Sequence, residues 1–215
     1  MNEMAHSARM VDPKRRAWWL KTLHQWHWIS AAISLAAILM FSITGITLNH
    51  AGQIEARPAV VTQTATVPRA LLASIAEAAP HKGHAPLPPP LADWLRGQWR
   101  IDAAHKDAEW SDGEIYLSLP RPGGDAWVSI DADRGEATWE VTDRGWIAWL
   151  NDLHKGRNTG ALWAWFIDLF ALACLLFSLT GLLLLWLHGR QRPTTWPMVG
   201  LGLLLPLLII LLFIH

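Results

Sequence analysis

The sequence predicts a membrane α-helical protein with three transmembrane helices and a small α+β domain between the first and second helices. Three observations predict this fold class. Apolar residues make up 52% of the chain and are concentrated in three blocks, each long enough to cross a bilayer. Short β-rich segments occupy the polar stretch between the first and second blocks. Basic residues precede the first block and lie between the second and third, which favours a cytoplasmic amino terminus and an outer carboxyl terminus.

The predicted topology divides the chain at the ends of the apolar blocks. The segments are a cytoplasmic amino-terminal segment at 1–21, transmembrane helix 1 at 22–50, an extracytoplasmic domain at 51–153, transmembrane helix 2 at 154–188, a cytoplasmic loop at 189–196 and transmembrane helix 3 at 197–215. Residues 29–48 contain no charged side chain. This run is longer than the apolar part of a signal peptide, and no small-residue cleavage site follows it. We therefore expect the first block to stay in the membrane.

The extracytoplasmic segment carries helix and strand signals. We expect a linker up to residue 66, an amphipathic helix at 68–79 that starts with proline, and an extended proline-rich connector at 81–90. Strands are expected at 98–103, 114–119, 126–131 and 137–142, with glycine-containing turns between the last three. The expected domain is one helix packed on a small antiparallel sheet.

Charge and cysteine content exclude several classes of function. The formal net charge is zero, which gives no general attraction to nucleic acid. Cys174 is the single cysteine, so neither an intrachain disulfide nor a cysteine-based metal cluster can form. Fifteen tryptophans, many at the ends of the apolar blocks, suit the interface between lipid and water.

A histidine-containing pattern occurs twice in the chain. The first copy is WLKTLH at 19–24, FSITG at 41–45 and His50, and the second is WLNDLH at 149–154, FSLTG at 177–181 and His188. Because consecutive spans run in opposite directions, His24 and His188 are expected at one membrane face, and His50 and His154 at the other. Facing imidazoles in a helical bundle are the ligands of a bis-histidine haem. The pattern therefore predicts haem b, one or two per chain, with these four histidines as ligands of the haem iron.

Alternatives stay open at these positions. His27 competes with His24, because residues three apart share a helical face. A single histidine can also anchor a helix end at the membrane surface without binding anything. His24 and His50 are 26 residues apart, about 39 Å along an ideal helix, which is long for one electron-transfer step. The electron-transfer distance would be shorter if the haems lean towards each other or if tryptophans relay the electron. The difficulty does not arise if only one haem is bound.

Other polar residues have weaker functional signals. His81 and His84 could catch a metal ion loosely, but no third ligand is evident nearby. Asp168 is the one acid inside an apolar block, where a carboxyl carries a proton, binds a neighbouring hydroxyl or is simply kept neutral by burial. The small residues of the FS[IL]TG segments allow helices to approach closely, and would equally make room for a macrocycle.

Several short motifs together resemble a known family. They are LHQW at 23–26, the FS[IL]TG segments at 41–45 and 177–181, DLH at 152–154, and WVSIDADRGE at 127–136. In this order the chain resembles the PepSY-associated transmembrane-helix family of bacterial inner-membrane proteins. The resemblance implies a PepSY-like domain in the periplasm and a multi-pass protein of the inner membrane. It also implies a relation to haem-containing ferrisiderophore and ferric reductases.

Two functions from different classes follow. The first is an inner-membrane haem-b oxidoreductase that moves electrons outward to reduce periplasmic ferric iron or ferric siderophores for iron acquisition. No nicotinamide or flavin fingerprint is present, so a quinol or another protein is the expected donor, and a homodimer would complete the haem enclosure. The alternative is a haem-free, membrane-tethered PepSY binding module, either a peptidase inhibitor or an accessory subunit of a metal transporter. No catalytic residue is assigned. The protein is an enzyme in the first hypothesis and a binding module in the alternative.

Overall fold

The fold combines long apolar helices with one antiparallel sheet. The computed structural model describes residues 13–54, 57–78, 83–189 and 192–214. The helices are α1 (Pro13–Asn49), α2 (Arg69–Ala78), α3 (Pro89–Trp99), α4 (Trp146–Lys155), α5 (Ala161–His188) and α6 (Thr195–Phe213). The strands are β1 (Ala59–Thr66), β2 (Gly83–Pro86), β3 (Asp107–Ser111), β4 (Glu114–Ser118), β5 (Gly124–Asp131) and β6 (Glu136–Asp143).

Three of the helices, α1, α5 and α6, are long and apolar enough to cross a membrane. Their leucine and isoleucine side chains are largely exposed, and no residue of the most apolar part of α6 is buried within the chain. Exposed apolar helices of this length are stable in lipid and not in water. The chain is therefore a membrane protein, while the orientation with the amino terminus inside stays a prediction.

The ends of these helices differ from the predicted segments. The first helix includes Pro13, the first described residue, nine residues before the predicted segment. The predicted segment 154–188 contains the end of α4 and the whole of α5. Gly156 adopts a left-handed conformation at φ 67° and its N–H bonds to Asp152 and Leu153 carbonyls, which ends α4 before α5 starts.

All strands pair antiparallel in the order β1-β6-β5-β4-β3-β2. One face of the sheet and the helices α2 and α3 form a single apolar core. Its most buried members include Leu91 and Leu95 from α3, Leu117 from β4, and Val128 and Ile130 from β5. This is the usual construction of an antiparallel sheet covered by helices on one side.

Parts of the domain differ from the sequence prediction. The strand expected at 98–103 is wrong, because α3 continues through Trp99 and ends at Arg100, which has a left-handed φ of 58°. Leu91, Leu95 and Trp99 are spaced by four residues and bury one helical face, a period that the proline-rich start of the helix concealed. In the predicted connector, 81–82 lie outside the described residues, while Gly83–Pro86 forms β2.

The expected linker up to residue 66 also contains a strand that the sequence signals missed. Its second half forms β1, which pairs with β6 from Ala59↔Asp143 to Thr66↔Glu136. Nearly all of its residues are exposed, as on an edge strand, so the strand has no buried apolar face to predict it from.

Contacts within the chain define two compact units. The first unit is formed by the chain up to Met40 together with the chain from Trp165 onward. The second unit is formed by residues 41–164 and includes the sheet domain. Each unit contains its own group of histidines.

Candidate functional site

In the first unit, two predicted ligand histidines face each other. The rings of His24 on α1 and His188 on α5 have centroids 5.9 Å apart at an interplanar angle of 82°. The Nδ1 atom of His24 lies 2.8 Å from the Leu20 carbonyl oxygen, and that of His188 lies 3.0 Å from the Leu184 carbonyl oxygen. A carbonyl only accepts, so Nδ1 carries the proton in both rings and the Nε2 lone pair is left for a ligand. Metal-binding histidines are commonly oriented by a bond of this kind.

His27, the predicted alternative to His24, has a different environment. Its Nδ1 lies 3.0 Å from the Thr180 hydroxyl, which itself donates towards the Leu176 carbonyl at 2.7 Å. The ring stacks on Phe177 with centroids 4.8 Å apart. A Cβ atom on Gly181 would lie only 3.1 Å from Cε1 of His27, so any larger residue would require the ring to shift by a few tenths of an ångström. His27 is thus held in a pocket made by the second FS[IL]TG segment.

A cavity of about 570 Å³ lies beside these histidines. Its lining residues are His27, Gly181, Leu184, Leu185, His188, Gly189, Arg192 and Thr195. The volume falls in the usual range for ligand and cofactor pockets. Two imidazoles, an apolar wall and one guanidinium are therefore available to a bound group at the same place.

In the second unit, a histidine contacts a threonine in the same way as His27 contacts Thr180. The Nδ1 atom of His154 lies 2.8 Å from the Thr44 hydroxyl, which lies 3.3 Å from the Phe41 carbonyl. The ring of Phe41 is 5.1 Å away, centroid to centroid, and a Cβ atom on Gly45 would lie 3.4 Å from Cε1 of His154. His154 therefore packs against the first FS[IL]TG segment in the same way as His27 packs against the second.

His50 does not pair with His154 in this structure. Its Nδ1 lies 3.0 Å from the Ile46 carbonyl, the ring is exposed, and within the described part of the chain the two imidazoles make no contact with each other. Thr44, which holds His154, is six residues before His50, or about 9 Å along the helix. The Nδ1–H of His50 is nevertheless fixed as in His24 and His188, so ligation through Nε2 stays a prediction.

Buried polar contacts fix α4 and hence His154. Asp152 is only 4% exposed, accepts the Gly123 N–H at 2.9 Å and forms an ion pair with Arg157 at 3.1 Å. Trp163 donates its indole N–H to the Leu153 carbonyl at 2.9 Å. The Asp152 carboxylate therefore ties α4 to the turn before β5, a role that the sequence did not indicate.

The structure gives less support for a functional role of the remaining candidate residues. Asp168 is exposed on α5 and has no hydrogen bond or ion pair among the described residues. His84 lies opposite Glu109 in the sheet, whereas His81 lies outside the described residues. In the described part of the chain, no group of three or more His, Cys, Asp or Glu side chains is arranged to hold a metal ion. A haem iron differs in needing only two protein ligands.

The contacts between histidine and threonine were not predicted from the sequence. The repeat aligns His24 with His154, whereas in the structure His27 is the residue that corresponds to His154. The available signal was the threonine and glycine that end both FS[IL]TG segments, together with a second histidine one helical turn after His24. Side-chain direction along α1 decides which histidine reaches the segment, and the repeat does not specify it.

Three apolar helices long enough to span a bilayer, with a helix-covered antiparallel sheet between the first two, define a membrane protein with one inserted α+β domain. The chain belongs to the Putative PepSY_TM-like family, whose model matches residues 18–215. This confirms the family resemblance. The comparisons with curated proteins and with solved structures found no match.

Proposed function

We propose that the protein is a haem-b electron carrier of the bacterial inner membrane that reduces ferric iron or ferric siderophores in the periplasm. The observation that carries this proposal is the His24–His188 pair. Two imidazoles from different helices face each other at 5.9 Å, and both present Nε2 because Nδ1 is bonded to their own helix. This donor set fits bis-histidine ligation of haem iron.

The surroundings of the pair also fit a haem. His188 lines the 570 Å³ cavity, where Gly181 leaves space and Leu184 and Leu185 provide an apolar wall. Arg192 lines the same cavity and offers a guanidinium to an acidic propionate group. A bound haem would supply reversible one-electron transfer. The protein would orient it with His24 and His188, and His27 is the alternative to His24.

A second haem between His50 and His154 is part of the proposal. For this haem, Nε2 of His154 would bind the iron on the side towards His50, whether or not Nδ1 keeps its hydrogen bond to Thr44. Electrons would enter from a quinol or another donor and leave to the ferric substrate beside the sheet domain. Assembly as a homodimer would cover the exposed faces of α5 and α6 and enclose the cofactors.

The first test is the absorption spectrum of the protein purified in detergent, with and without dithionite. The expected result is a Soret band with α and β bands that sharpen on reduction. A preparation that stays colourless after expression with added haem precursor would contradict the proposal. Ferric citrate reoxidising the reduced protein would support the reductase assignment, and a reduced spectrum unchanged by ferric chelates would remove it.

One observation favours the alternative function, a haem-free binding module. The face of the sheet opposite the core carries the exposed Tyr116 and the half-buried Trp127, stacked at 5.9 Å between centroids. Aromatic side chains at a surface are enriched where proteins bind each other. A colourless protein that still binds a peptidase or transporter partner, and loses the partner when Trp127 is replaced by Ala, would establish this reading.

A further inference from the structure

The two edge strands of the sheet differ in how well they are protected from pairing with another strand. At one edge, β2 has only four residues and ends in Pro86. At the other edge, β1 has eight residues, from Ala59 to Thr66, in an unbroken antiparallel register with β6. It contains no charged residue and no proline. Edge strands are usually protected by charges, prolines, bulges or short length, so β1, unlike β2, is left able to accept another strand.

The register of β1 shows which of its backbone groups are unpaired. The Val67 N–H donates to the Gly135 carbonyl at 2.9 Å, and hydrogen-bonded positions alternate along an antiparallel pair. The odd-numbered residues of β1 therefore direct their N–H and C=O groups towards β6. The even-numbered residues direct theirs to the free edge, and they are Val60, Thr62, Thr64 and Thr66. No other described segment bonds to these backbone groups, so they form a row of available donors and acceptors.

This row is complementary to itself. When two β1 strands pair antiparallel about a two-fold axis with Gln63 opposite Gln63, outward-facing residues meet outward-facing residues throughout. Val60 of one copy then lies opposite Thr66 of the other, and Thr62 lies opposite Thr64. Each of these pairs exchanges two backbone hydrogen bonds, so none of the outward groups of β1 is left over. An isologous interface needs this kind of self-complementary surface.

The side chains of β1 also suit contact with an identical strand. A two-fold interface brings each side chain close to those of the same segment, and like charges facing each other across strands are destabilising. The absence of charge in β1 avoids this repulsion. Val60 and Val61 are each 54% exposed, and the same register places Val61 opposite Ala65 of the other copy. Pairing therefore covers apolar side chains as well as backbone groups.

We propose that the free edge of β1 binds the β1 strand of a second copy of this chain, so that two sheets join into one. β1 starts ten residues after the end of α1, and every copy of the chain enters the membrane with the same topology. The β1 strands of neighbouring copies are therefore on the same side of the bilayer and can meet there. The inference is independent of haem binding and goes beyond the proposed function by assigning a surface and a register to the dimer.

The first test is disulfide cross-linking of the full-length protein in membranes, after the single cysteine has been replaced by Cys174→Ala. Gln63→Cys places a thiol on the two-fold axis, opposite its own copy. The Cα atoms of such a pair are about 4.5 Å apart, which is within the range that a disulfide spans. Thr66→Cys is the matched control in the same strand, because in this register the two thiols are about 20 Å apart.

The second test adds a proline to the Gln63→Cys protein. The N–H of Thr64 points to the free edge, so Thr64→Pro removes a donor that a second copy uses and leaves the bonds to β6 in place. Thr64→Val keeps the N–H and is the matched control. Hydrogen exchange of the β5 and β6 amides checks that the sheet is retained in both variants.

We expect copper phenanthroline to convert the Gln63→Cys protein to a covalent dimer at a rate at least tenfold above that of Thr66→Cys. Thr64→Pro should lower the rate about fivefold or more, and Thr64→Val should not. Equal rates for the two cysteine variants, or a rate unchanged by the proline, would overturn the proposal. If Gln63→Cys stays monomeric while the Thr62 and Thr64 amides are protected from exchange, a different chain covers the edge, and the proposal is overturned as well.

Discussion

The two places where a histidine meets an FS[IL]TG segment have the same construction but different neighbours. In the first unit, His27 contacts Thr180 while His24, one turn away, faces His188. In the second unit, His154 contacts Thr44, and the ring of His50 is hydrogen-bonded to the Ile46 carbonyl of its own helix. The repeated motif therefore specifies a histidine held by a threonine. The close imidazole pair is an additional feature, and among the described residues it is found in the first unit alone.

This comparison divides the four predicted ligands into two groups. In the proposal, the rings of His24 and His188 are already close, and their Nδ1 bonds leave Nε2 for the iron. A haem at His50 and His154 requires side chains to move. The first site should therefore bind haem more tightly than the second.

The largest expected effect is the loss of one haem. Replacing His188 by Ala should remove the haem of the first unit and leave any haem at His50 and His154, so that the pyridine haemochrome content falls by half in a two-haem protein. Replacing His154 should remove the other haem. Equal loss of both haems in either variant would contradict two independent sites.

The next effect concerns the buried carboxylate that holds α4. Asp152→Asn weakens the bonds to the Gly123 N–H and to Arg157, because one oxygen becomes an NH₂ donor and the charge is lost. We expect the variant to destabilise the sheet domain by about 2 kcal/mol. The effect is not larger because the Arg157 partner is half exposed and solvent weakens its ion pair. Hydrogen exchange of the β5 amides measures it, and should also report loss of order around His154 but not around His24.

The matched control for Asp152 is an exposed carboxylate with an arginine partner. The Arg96 guanidinium beside Asp102 holds the pKa of that carboxyl below its usual value. A lowered folded-state pKa stabilises the fold above the usual pKa, and this contribution is lost as pH falls through the lowered value. Because both side chains are mostly exposed, solvent screens the pair, and Asp102→Asn should leave hydrogen exchange in β5 unchanged.

The glycines of the two segments should differ in their tolerance of a methyl group. A Cβ atom at Gly181 would be 3.1 Å from the His27 ring, closer than the 3.4 Å between Gly45 and the His154 ring. We expect Gly181→Ala to cost about 1 kcal/mol or more and Gly45→Ala less, because only the first forces the imidazole to move. Chemical denaturation in detergent compares them. A larger cost for Gly45→Ala than for Gly181→Ala would contradict this expected difference.

The smallest effect is expected for the threonine hydroxyls. Thr180→Val and Thr44→Val remove the hydroxyls that are hydrogen-bonded to Nδ1 of His27 and of His154, while they keep the side-chain volume. Each should cost about 1 kcal/mol. NMR of ¹⁵N-labelled histidine should show a changed tautomer only for the ring that lost its partner, and a change in the other unit would contradict separate sites.

The sequence was sufficient for the spans and for much of the sheet, because apolar runs and strand alternation are local signals. The strands predicted at 114–119, 126–131 and 137–142 correspond to β4, β5 and β6. The strand β1 and the helix α3 were missed, since β1 has no buried face and the start of α3 is masked by prolines. Site geometry was predicted less well. The facing of His24 and His188 follows from antiparallel spans, but the contacts of His27 and Asp152 depend on side-chain directions and on packing between distant segments.

The most direct measurement is the electron paramagnetic resonance spectrum of the oxidised protein in three single variants, His24→Ala, His188→Ala and His27→Ala. A low-spin bis-histidine signal should be present in the parent protein. The low-spin signal of the first-unit haem should disappear, or become high-spin, in the first two variants and persist in the third, because His24 and not His27 faces His188. A signal from a haem at His50 and His154 should persist in all three variants. Loss of the signal in His27→Ala with retention in His24→Ala would contradict the His24–His188 assignment.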